Sequence, residues 1–515
     1  MPLTILSDTD VKNLLNNLTR ADVESLQHSL RQALHEYSTG TQDDGCCSDN
    51  QPERTVLESH RGNTTLFMPS TSSSGIGMKV VTLATPPSDT HSNNATDTLD
   101  APPPAPTTPY GALTLMDLSG KPFGFLNAEE VTAFRTALAS SLLLTRRAKV
   151  KTITVFGVGK QAYWHVRLAL LLHGSTIKQV HFINRTFSDR AKGILKTFVH
   201  IDPEIKTSEG WSNTTFGILT PGYGEYARLL KDQIRASDVI ITTTPSTEPL
   251  FDHTILTNTE GRKRGRLIIA IGSYKKHMVE VPPEILSQAT KRHGPGHHFH
   301  KHAEEGGVIV VDTLTCVTQT GELTQANIRE TQTVELGELV MLERLDSNND
   351  TDSAISDSPP PELAISLETL NLGDGNRALS HVFHNSINSN PPSPRLPLTL
   401  SPSSSSFTQT TTNTSGGSNK SPSRKSSFSL SRKNSFSFHK RSSSLSGGNG
   451  SRSNSVKPTK RKKQQTEQED QMCRWLSRGN VVYKSVGMGL MDLVVGGDLV
   501  RLARVRDVGI VVEDF

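Results

Sequence analysis

The sequence predicts an α/β protein built on a doubly wound parallel sheet. Short apolar runs rich in β-branched residues recur through the middle of the chain, beginning with Thr152–Phe156, and such runs are typical of strands buried on both faces. The first run leads through a glycine turn into an apolar, helix-length segment that ends near His173. A second run, Ile177–Ile183, follows at once, so the predicted order is strand, helix, parallel strand.

The glycine turn has the spacing of a dinucleotide-binding fingerprint. It reads Gly157-Val-Gly159-Lys-Gln161-Ala162, inside a unit of about 32 residues, which is the context that this motif requires. Gly157 permits the tight turn, Gly159 lets the backbone approach a pyrophosphate, and Ala162 lets the helix lie close to the sheet. The N–H groups at the start of the helix would then hold the pyrophosphate. The alternative is a glycine turn that binds nothing.

Three later runs extend the predicted sheet: Asp238–Thr244, Leu267–Ile271 and Val308–Asp312. We count Thr243, at the end of the first of these runs, among the predicted cofactor contacts.

The end of the second strand distinguishes between two nicotinamide cofactors. A site for NAD usually places an acid there to bind the ribose 2′-hydroxyl, and this acid would repel a 2′-phosphate. The sequence has Asn184-Arg185-Thr186 instead. Arg185 can form a fork to a phosphate, and Thr186 can donate a hydroxyl hydrogen bond. We therefore predict NADPH as the cofactor, with NADH or an exposed Arg185 that contacts nothing as the alternatives.

The segments before the glycine turn predict a second, α+β part of the molecule. Apolar residues at helical spacing predict a pair of short helices over Asp8–Tyr37. A longer helix is predicted over Asn127–Arg147, with Asn127 as its N-cap and two glutamates in its first turn. Strands separated by turns are predicted at Leu66–Met68, Met78–Leu83 and Gly111–Asp117.

Part of the chain is too polar to fold. Hydrophobic residues make up 34% of the chain, whereas an ordinary globular chain is about 45–50% apolar with glycine included. The shortfall is concentrated in three segments that we predict to be unpacked: residues 86–109, the histidine-rich loop 293–307, and residues 346–472. The five histidines of the loop have no predicted secondary structure, so we expect no metal site there.

Charge and cysteine content limit the classes of function. The net charge is +4, but thirteen Lys or Arg and no acid lie between Lys420 and Lys463, and the remaining chain carries −9. We therefore expect neither a nucleic acid nor a membrane as partner. Four cysteines without zinc-site spacing predict a reducing compartment. The sequence shows no signal peptide and no run of 18 apolar residues, which predicts a soluble, cytoplasmic protein.

Several motifs occur together in an order that resembles a known family. The predicted long helix carries Thr-Ala-Phe-Arg135-Thr-Ala just before the glycine turn. Earlier segments read Leu66-Phe-Met-Pro-Ser and Gly77-Met-Lys79-Val-Val, and Tyr483-Lys-Ser-Val-Gly487 lies near the end. This set resembles the ornithine cyclodeaminase/mu-crystallin family, over Leu3 to about Asp514 apart from the three unpacked segments.

The resemblance implies a Rossmann domain and a substrate and dimerisation domain built from both chain ends. On that basis we predict residues 1–134 and 473–515 as the two parts of the substrate domain, 135–345 as the Rossmann domain, and 346–472 as a disordered insertion. It also implies a homodimer. Members of the family transfer hydride between a nicotinamide and an imine carbon, or oxidise and cyclise ornithine.

The family also implies roles for four residues. Arg54 and Arg135 would bind the substrate carboxylate, Lys79 would handle a proton, and Gly487 would lie near the nicotinamide. Two guanidiniums can clamp a carboxylate, and a partly buried lysine can exchange a proton with an imine nitrogen. The alternatives are an internal ion pair for Arg135, a surface charge for Arg54 and a solvent-facing strand position for Lys79.

One departure from the family pattern bears on the reaction. Cyclodeaminases carry an aspartate where this chain has Tyr274, and a tyrosine with a pKa near 10 is a poor general base at neutral pH. We therefore predict an NADPH-dependent reductase of a small imine or ketimine carboxylate. The alternatives are a regulatory protein that binds NADPH or a small ligand without turnover, and a cyclodeaminase or amino-acid dehydrogenase.

The insertion contains signals of its own. Serines follow basic residues by two or three positions at four places, including Ser426 and Ser435, and this spacing suits basophilic kinases. We therefore expect kinases and phosphoserine-binding proteins as partners. Lys457–Lys463 is a basic patch that could direct a nuclear fraction, although serine-rich tracts match both patterns by chance.

Overall fold

Eight parallel strands form the larger of two sheets in the computed structural model, which describes residues 2–40, 51–59, 63–83, 110–290, 306–339 and 472–515. The strands are β1 Leu3–Leu6, β2 Thr55–Glu58, β3 Thr64–Ser72, β4 Gly75–Leu83, β5 Tyr110–Met116, β6 Pro122–Asn127, β7 Thr152–Phe156, β8 Gln179–Ile183, β9 Thr215–Leu219, β10 Val239–Thr242, β11 Leu267–Ala270, β12 Val308–Val311, β13 Thr333–Glu335, β14 Val481–Lys484 and β15 Ile510–Val512.

The α-helices with complete bounds are α1 Asp8–Asn16, α2 Arg20–Thr39, α3 Ala128–Leu144, α4 Lys160–His173, α5 Asp189–Val199, α6 Pro203–Ser208, α7 Tyr226–Ala236, α8 Thr254–Thr257, α9 Pro283–Ala289, α10 Cys316–Gln319, α11 Gly321–Gln325, α12 Leu336–Leu339 and α13 Gly489–Val505. Residues 472–478 are also helical. No helix within the described ranges is both long enough and apolar enough to span a membrane.

The parallel sheet has the strand order β13-β12-β14-β11-β10-β7-β8-β9. The chain runs from β7 to β8 and β9 on one side and returns to β10 and β11 on the other. The order therefore reverses between β7 and β10, and a crevice at such a switch point is the usual ligand site of a doubly wound sheet. The predicted fold class is confirmed.

The second sheet joins the two ends of the described chain. Its order is β15-β1-β6-β5-β4-β3-β2, and β1 pairs with β15 in antiparallel fashion, with Leu3 opposite Val512. β1, β2 and β6 were not predicted, because each is short or lies beside a turn. The three strands that were predicted here are present as β3, β4 and β5.

Helix α3 connects the two sheets. The side chain of Asn127 accepts a hydrogen bond from the N–H of Glu129, so the predicted N-cap is confirmed. Most of the helix is buried, and its apolar residues belong to one hydrophobic cluster that also includes residues of β7 and α13. The burial explains why an apolar helix lacks a polar stripe.

Two of the predicted domain boundaries do not coincide with breaks between elements or sheets in the structure. Residues 473–515 were assigned to the substrate domain, but β14 lies in the middle of the parallel sheet, between β11 and β12. Helix α3 runs without interruption through the predicted boundary at 134/135. Both sheets belong to one compact unit, so the division into domains stays a prediction.

The predicted unpacked segments lie almost entirely outside the described residues. Of these segments, the structure describes only Gly306, Gly307 and Met472. Met472 is fully buried in the main core cluster. It therefore belongs to the folded part of the chain, and the predicted insertion has to end at residue 471 or earlier.

Candidate active site

The glycine turn after β7 is built so that only glycine fits its first position. Gly157 has φ +105°, a region that residues with a Cβ rarely adopt. A Cβ built on it would lie 2.5 Å from Oγ1 of Thr243, which itself donates to the carbonyl of Phe156 at 2.8 Å. The turn therefore lies directly against the end of β10, at the switch point of the sheet.

The start of α4 presents an open backbone. Gly159 is the N-cap residue, and no side chain caps the helix there. A Cβ built on Gly159 would find no atom within 4 Å, whereas Ala162 is fully buried. Oε1 of Gln161 is buried and has no hydrogen-bond partner among the described residues. The first-turn N–H groups leave donors for a ligand such as a pyrophosphate, whereas this amide oxygen leaves an acceptor for a donor such as a ribose hydroxyl.

The end of β8 carries a free guanidinium. Asn184 Nδ2 donates to the carbonyl of Thr186 at 2.7 Å, which shapes the turn. Arg185 is exposed, and no carboxylate in the described part of the chain forms an ion pair with it. The side chain therefore has its full donor set available to a phosphate.

Three buried charged residues form the centre of the second predicted site. Lys79 of β4 donates to both oxygens of Asp492 on α13, at 3.0 and 3.1 Å. Arg135 of α3 donates through Nε to Oδ1 of the same carboxylate at 3.1 Å. The exposed fractions are 1%, 4% and 0% for Lys79, Arg135 and Asp492. The structure thus brings Lys79 and Arg135 together and adds a carboxylate that the sequence analysis did not consider.

The solvent-facing alternative for Lys79 is excluded, because the lysine lies on the buried face of its strand. Burial lowers the pKa of Lys79 to about 8, while the charge of Asp492 opposes this effect and that of Arg135 adds to it. A lysine in this range exchanges a proton near neutral pH far more readily than an ordinary lysine. The alternative given for Arg135 was an internal ion pair. Such a pair is present, because Asp492 is the partner of Arg135.

Gly487 lies against the guanidinium of Arg135. Its φ is +83°, and a Cβ on it would lie 2.4 Å from Nη1 of Arg135. The turn that carries Gly487 is fixed by Asp312, whose Oδ2 accepts from Oγ of Ser485 and from the N–H groups of Val486 and Gly487 at 2.7–2.8 Å. Asp312 follows β12 directly, so the parallel sheet positions the approach to Arg135.

Arg54 lies elsewhere, beside Tyr274 and α10. Its Nη2 donates to Oε1 of Gln319 at 2.7 Å, and burial lowers its pKa. Burial raises the pKa of Tyr274, and the nearby Arg54 charge only partly opposes this shift. Burial also raises the pKa of Cys316 to about 11, with Asp312 adding to the effect. Arg54 is therefore half-buried beside neutral groups, which rules out the plain surface charge.

A buried carboxylate fixes the loop that carries Tyr274. Glu280 Oε2 accepts from the N–H groups of Gly272 and Ser273, at 2.7 and 3.1 Å, and Lys484 Nζ donates to the hydroxyl of Ser273. Burial raises the pKa of Glu280, and the charge of Lys484 opposes the shift. Sequence reasoning missed this network, although a lysine that ends an apolar strand was a signal for it.

Comparisons with known proteins identify several relatives. No protein-family model matches the chain. An uncharacterized protein from Saccharomyces cerevisiae is 28% identical over 246 residues, which cover 43% of this chain and 60% of the relative. An uncharacterized cyclodeaminase from Dictyostelium discoideum is 28% identical over 223 residues, covering 42% and 54%. Delta(1)-pyrroline-2-carboxylate reductase from Bacillus cereus is 24% identical over 307 residues, covering 57% and 75%. The chain thus spans only 54–60% of the yeast and Dictyostelium relatives.

Solved structures show the same fold. Thermococcus litoralis Delta(1)-pyrroline-2-carboxylate reductase, in complex with NADH and L-proline, superposes with a TM-score of 0.52 at 14% identity and covers 99% of both chains. The iminosuccinate reductase of Paracoccus denitrificans, with NAD⁺, gives 0.51 at 14% identity and covers both chains completely. An archaeal alanine dehydrogenase dimer with bound NAD gives 0.51 at 15% identity, again over both whole chains. These relatives and structures support the family that the motifs predicted.

Proposed function

We propose that this chain, which belongs to the ornithine cyclodeaminase/mu-crystallin family, is an NADPH-dependent reductase of a small imine or ketimine carboxylate. The observation that carries the proposal is the buried cluster of Lys79, Arg135 and Asp492, which combines a carboxylate-binding guanidinium with a lysine that titrates near neutral pH. The Bacillus cereus and Paracoccus denitrificans proteins are named as reductases of pyrroline-2-carboxylate and iminosuccinate, and both substrates are imine carboxylates.

Reduction of an imine needs a hydride at carbon and a proton at nitrogen. A reduced nicotinamide, when bound, would supply the hydride. Lys79 would donate the proton, since burial brings its pKa to about 8. The guanidinium of Arg135 would hold the substrate carboxylate. Arg54, whose described hydrogen bond goes to Gln319, stays a predicted substrate-binding residue outside this cluster.

The residues of the glycine turn fit the dinucleotide. Gly157, Gly159 and Ala162 would form the turn and the helix start that receive the pyrophosphate, and Thr243 would line the crevice at the switch point. The unpartnered amide oxygen of Gln161 would accept a hydrogen bond from a hydroxyl of the same dinucleotide. Gly487 would border the nicotinamide, since it separates the end of the parallel sheet from Arg135.

The preference for NADPH rests on the turn Asn184-Arg185-Thr186. We expect Arg185→Ala to raise the Kd for NADPH about 10–100-fold, because a charge-assisted hydrogen bond to the 2′-phosphate contributes about 1.5–3 kcal/mol. The Kd for NADH should change less than twofold. Fluorescence titration measures both constants, with Arg190→Ala as the control because it removes another exposed arginine nearby. Equal losses for the two cofactors would contradict the preference.

The experiment that tests the function is a turnover screen. Cyclic imine carboxylates, and 2-oxo acids mixed with amines, are incubated with NADPH or NADH, and the absorbance of the reduced nicotinamide is followed. We expect sustained oxidation with at least one imine carboxylate. Tight cofactor binding without turnover on any of them would support the regulatory alternative instead.

Deamination is the less favoured direction. A cyclodeaminase needs a general base at the position of Tyr274, and burial raises the pKa of this phenol above its ordinary value. The phenol is therefore protonated throughout the physiological range and cannot accept a proton there.

We propose a homodimer that forms through the outer face of the smaller sheet. Large apolar side chains are exposed on this face, among them Leu57, Met78, Phe125 and Ile510. Met78 and Phe125 both lie opposite Thr114 in the register, so they share one face. The archaeal alanine dehydrogenase of the same fold is described as a dimer.

A pair of charges on this face should separate the subunits. We expect Met78→Glu combined with Phe125→Glu to give a monomer, because four buried carboxylates would face one another across the two-fold axis. Light scattering coupled to gel filtration measures the mass. Leu118→Glu is the control, since Leu118 is exposed in the turn between β5 and β6. A dimer that persists in the double variant would place the interface elsewhere.

The remaining expectations concern the cellular location and residues that the structure does not describe. Phosphorylation of serines in the insertion, a nuclear fraction through Lys457–Lys463 and a cytoplasmic location all stay predictions. Residues 293–305 of the histidine-rich loop 293–307 also lie outside the described residues.

A further inference from the structure

One buried carboxylate holds the two buried cations Lys79 and Arg135 of the proposed substrate site. Asp492 accepts two hydrogen bonds from Lys79 and one from Arg135, and all three side chains are nearly inaccessible to water. We propose that Asp492 is a positioning residue that assigns the two cations different tasks, carboxylate binding to Arg135 and proton donation to Lys79. This inference rests on the proposed reductase function.

The count of hydrogen-bond donors separates the two tasks. A lysine ammonium has three N–H bonds, and Nζ of Lys79 lies within hydrogen-bond distance of both Oδ1 and Oδ2 of Asp492. These contacts use at most two of the three, so at least one proton remains for a substrate, which suits donation to a single imine nitrogen. A lysine held in this way cannot also bind both oxygens of a carboxylate.

Arg135, unlike Lys79, keeps two N–H-bearing nitrogens that do not bond to Asp492. Asp492 takes only Nε, while Nη1 makes a weak contact with Sδ of Met491 at 3.7 Å. The outer edge of the guanidinium, formed by Nη1 and Nη2, packs against Gly487, so a substrate carboxylate reaches this edge only when the Gly487 turn moves aside. Two parallel N–H groups on this edge match the two oxygens of a carboxylate. The anchored Nε fixes the plane in which the carboxylate would bind.

The charges of the cluster fit one substrate carboxylate. Lys79 and Arg135 carry two positive charges and Asp492 one negative charge, so the buried cluster has a net charge of +1 with all three groups ionised. A single bound carboxylate neutralises it. Without Asp492, two cations would lie together in a site that excludes water, and each would disfavour the charged form of the other.

Asp492 also keeps the proton on Lys79. Burial lowers the pKa of Lys79, Arg135 of α3 lowers it further, and Asp492 of α13 raises it. The neighbouring strands β3 and β5 place Met68 and Leu113 beside Lys79, so they add no charge. In the reaction the imine carbon gains the hydride, the imine nitrogen gains the Lys79 proton, and the neutral lysine recovers a proton from solvent when the product leaves.

The test compares Asp492→Asn with Asp492→Glu. Loss of the carboxylate should lower the pKa of Lys79, so the basic limb of the pH profile of kcat/KM should move to lower pH by about 1–3 units. KM for the imine carboxylate should also rise, because Arg135 loses its anchor. Asp492→Glu should keep the basic limb near the wild-type pH while raising KM, since the carboxylate remains but is displaced by one methylene. NADPH binding should be unchanged in both variants.

A second substrate distinguishes proton donation from general damage. An N-methylated cyclic iminium carboxylate carries a permanent positive charge and needs no proton for reduction. Asp492→Asn should therefore lose at least about tenfold more activity at pH 8 on the ordinary imine than on the N-methyl iminium. Equal losses on both substrates, or an unmoved basic limb, would overturn the assignment.

The outcomes separate this inference from the proposed function. A wild-type protein that reduces no imine carboxylate refutes the function, whereas an active wild type with a normal Asp492→Asn profile refutes only the role of Asp492. If Asp492→Asn does not fold, the Asp492→Glu variant alone tests the role of Asp492. Unchanged KM and kcat in that variant would show that the position of the carboxylate does not matter.

Discussion

Replacement of Lys79 by methionine is expected to lower kcat/KM for an imine carboxylate by about 10²–10⁴-fold, the usual range for the loss of a general acid. The methionine fills a similar volume on the buried face of β4, and Asp492 keeps Arg135 as its ion-pair partner. The remaining pair of Asp492 and Arg135 has no net charge, and neither side chain is left without a partner. We therefore expect the fold to survive. Initial rates of NADPH oxidation measure the effect.

Two further variants make the Lys79 result specific. Lys79→Arg keeps the positive charge, but a guanidinium does not release a proton at physiological pH, so this variant should fold and remain slow. Lys12→Met removes an exposed lysine of α1 and should leave the rate unchanged. The Kd for NADPH should match the wild type in all three proteins. Activity within threefold of wild type in Lys79→Met would remove Lys79 from the reaction.

Much of the parallel sheet could be predicted because its signals are local. The glycine turn, the apolar strand before it and the apolar helix after it are consecutive in the chain, so their pattern alone specifies the unit. The N-cap at Asn127 was predictable for the same reason, since the capping interaction spans only two residues. Such short-range patterns do not depend on the rest of the fold.

The position of β14 could not be predicted from a local pattern. Residues 481–484 follow the long insertion, and their burial between β11 and β12 depends on hydrogen bonds to strands more than 170 residues earlier. Val481-Val-Tyr-Lys is too short and apolar to reveal which sheet contains it. Its assignment to the substrate domain followed from the family resemblance, whereas the structure pairs this strand with β11 and β12 of the parallel sheet.

The partner of Lys79 was missed for a related reason. Lys79 and Asp492 are 413 positions apart, and no sequence period joins a strand near one end of the chain to a helix near the other. A signal did exist, because Asp492 interrupts a nearly continuous apolar run in α13. A carboxylate on the buried face of an apolar helix requires a cation, and Lys79 and Arg135 were already candidates.

Substitution of Gly159 by valine tests the cofactor site with little disturbance of the fold. Gly159 has φ −89° and ψ −174°, which any residue adopts, and a Cβ there meets no atom within 4 Å. A side chain can therefore occupy this space in the free protein, but it would fill the place where the pyrophosphate must approach the helix N-terminus. We expect the Kd for NADPH to rise at least about 100-fold, equivalent to about 2.7 kcal/mol.

The loss of a glycine N-cap has its own cost, and a matched variant measures it. Valine is a poor N-cap, so Gly159→Val should lower the free energy of unfolding by about 1 kcal/mol. Ser7→Ala removes the N-cap hydrogen bond of α1, far along the chain from the glycine turn, and should cost a similar amount. Because Ser7→Ala should bind NADPH normally, a comparable loss of stability cannot explain a 100-fold loss of binding. Normal NADPH binding by folded Gly159→Val would show that the dinucleotide does not approach the start of α4.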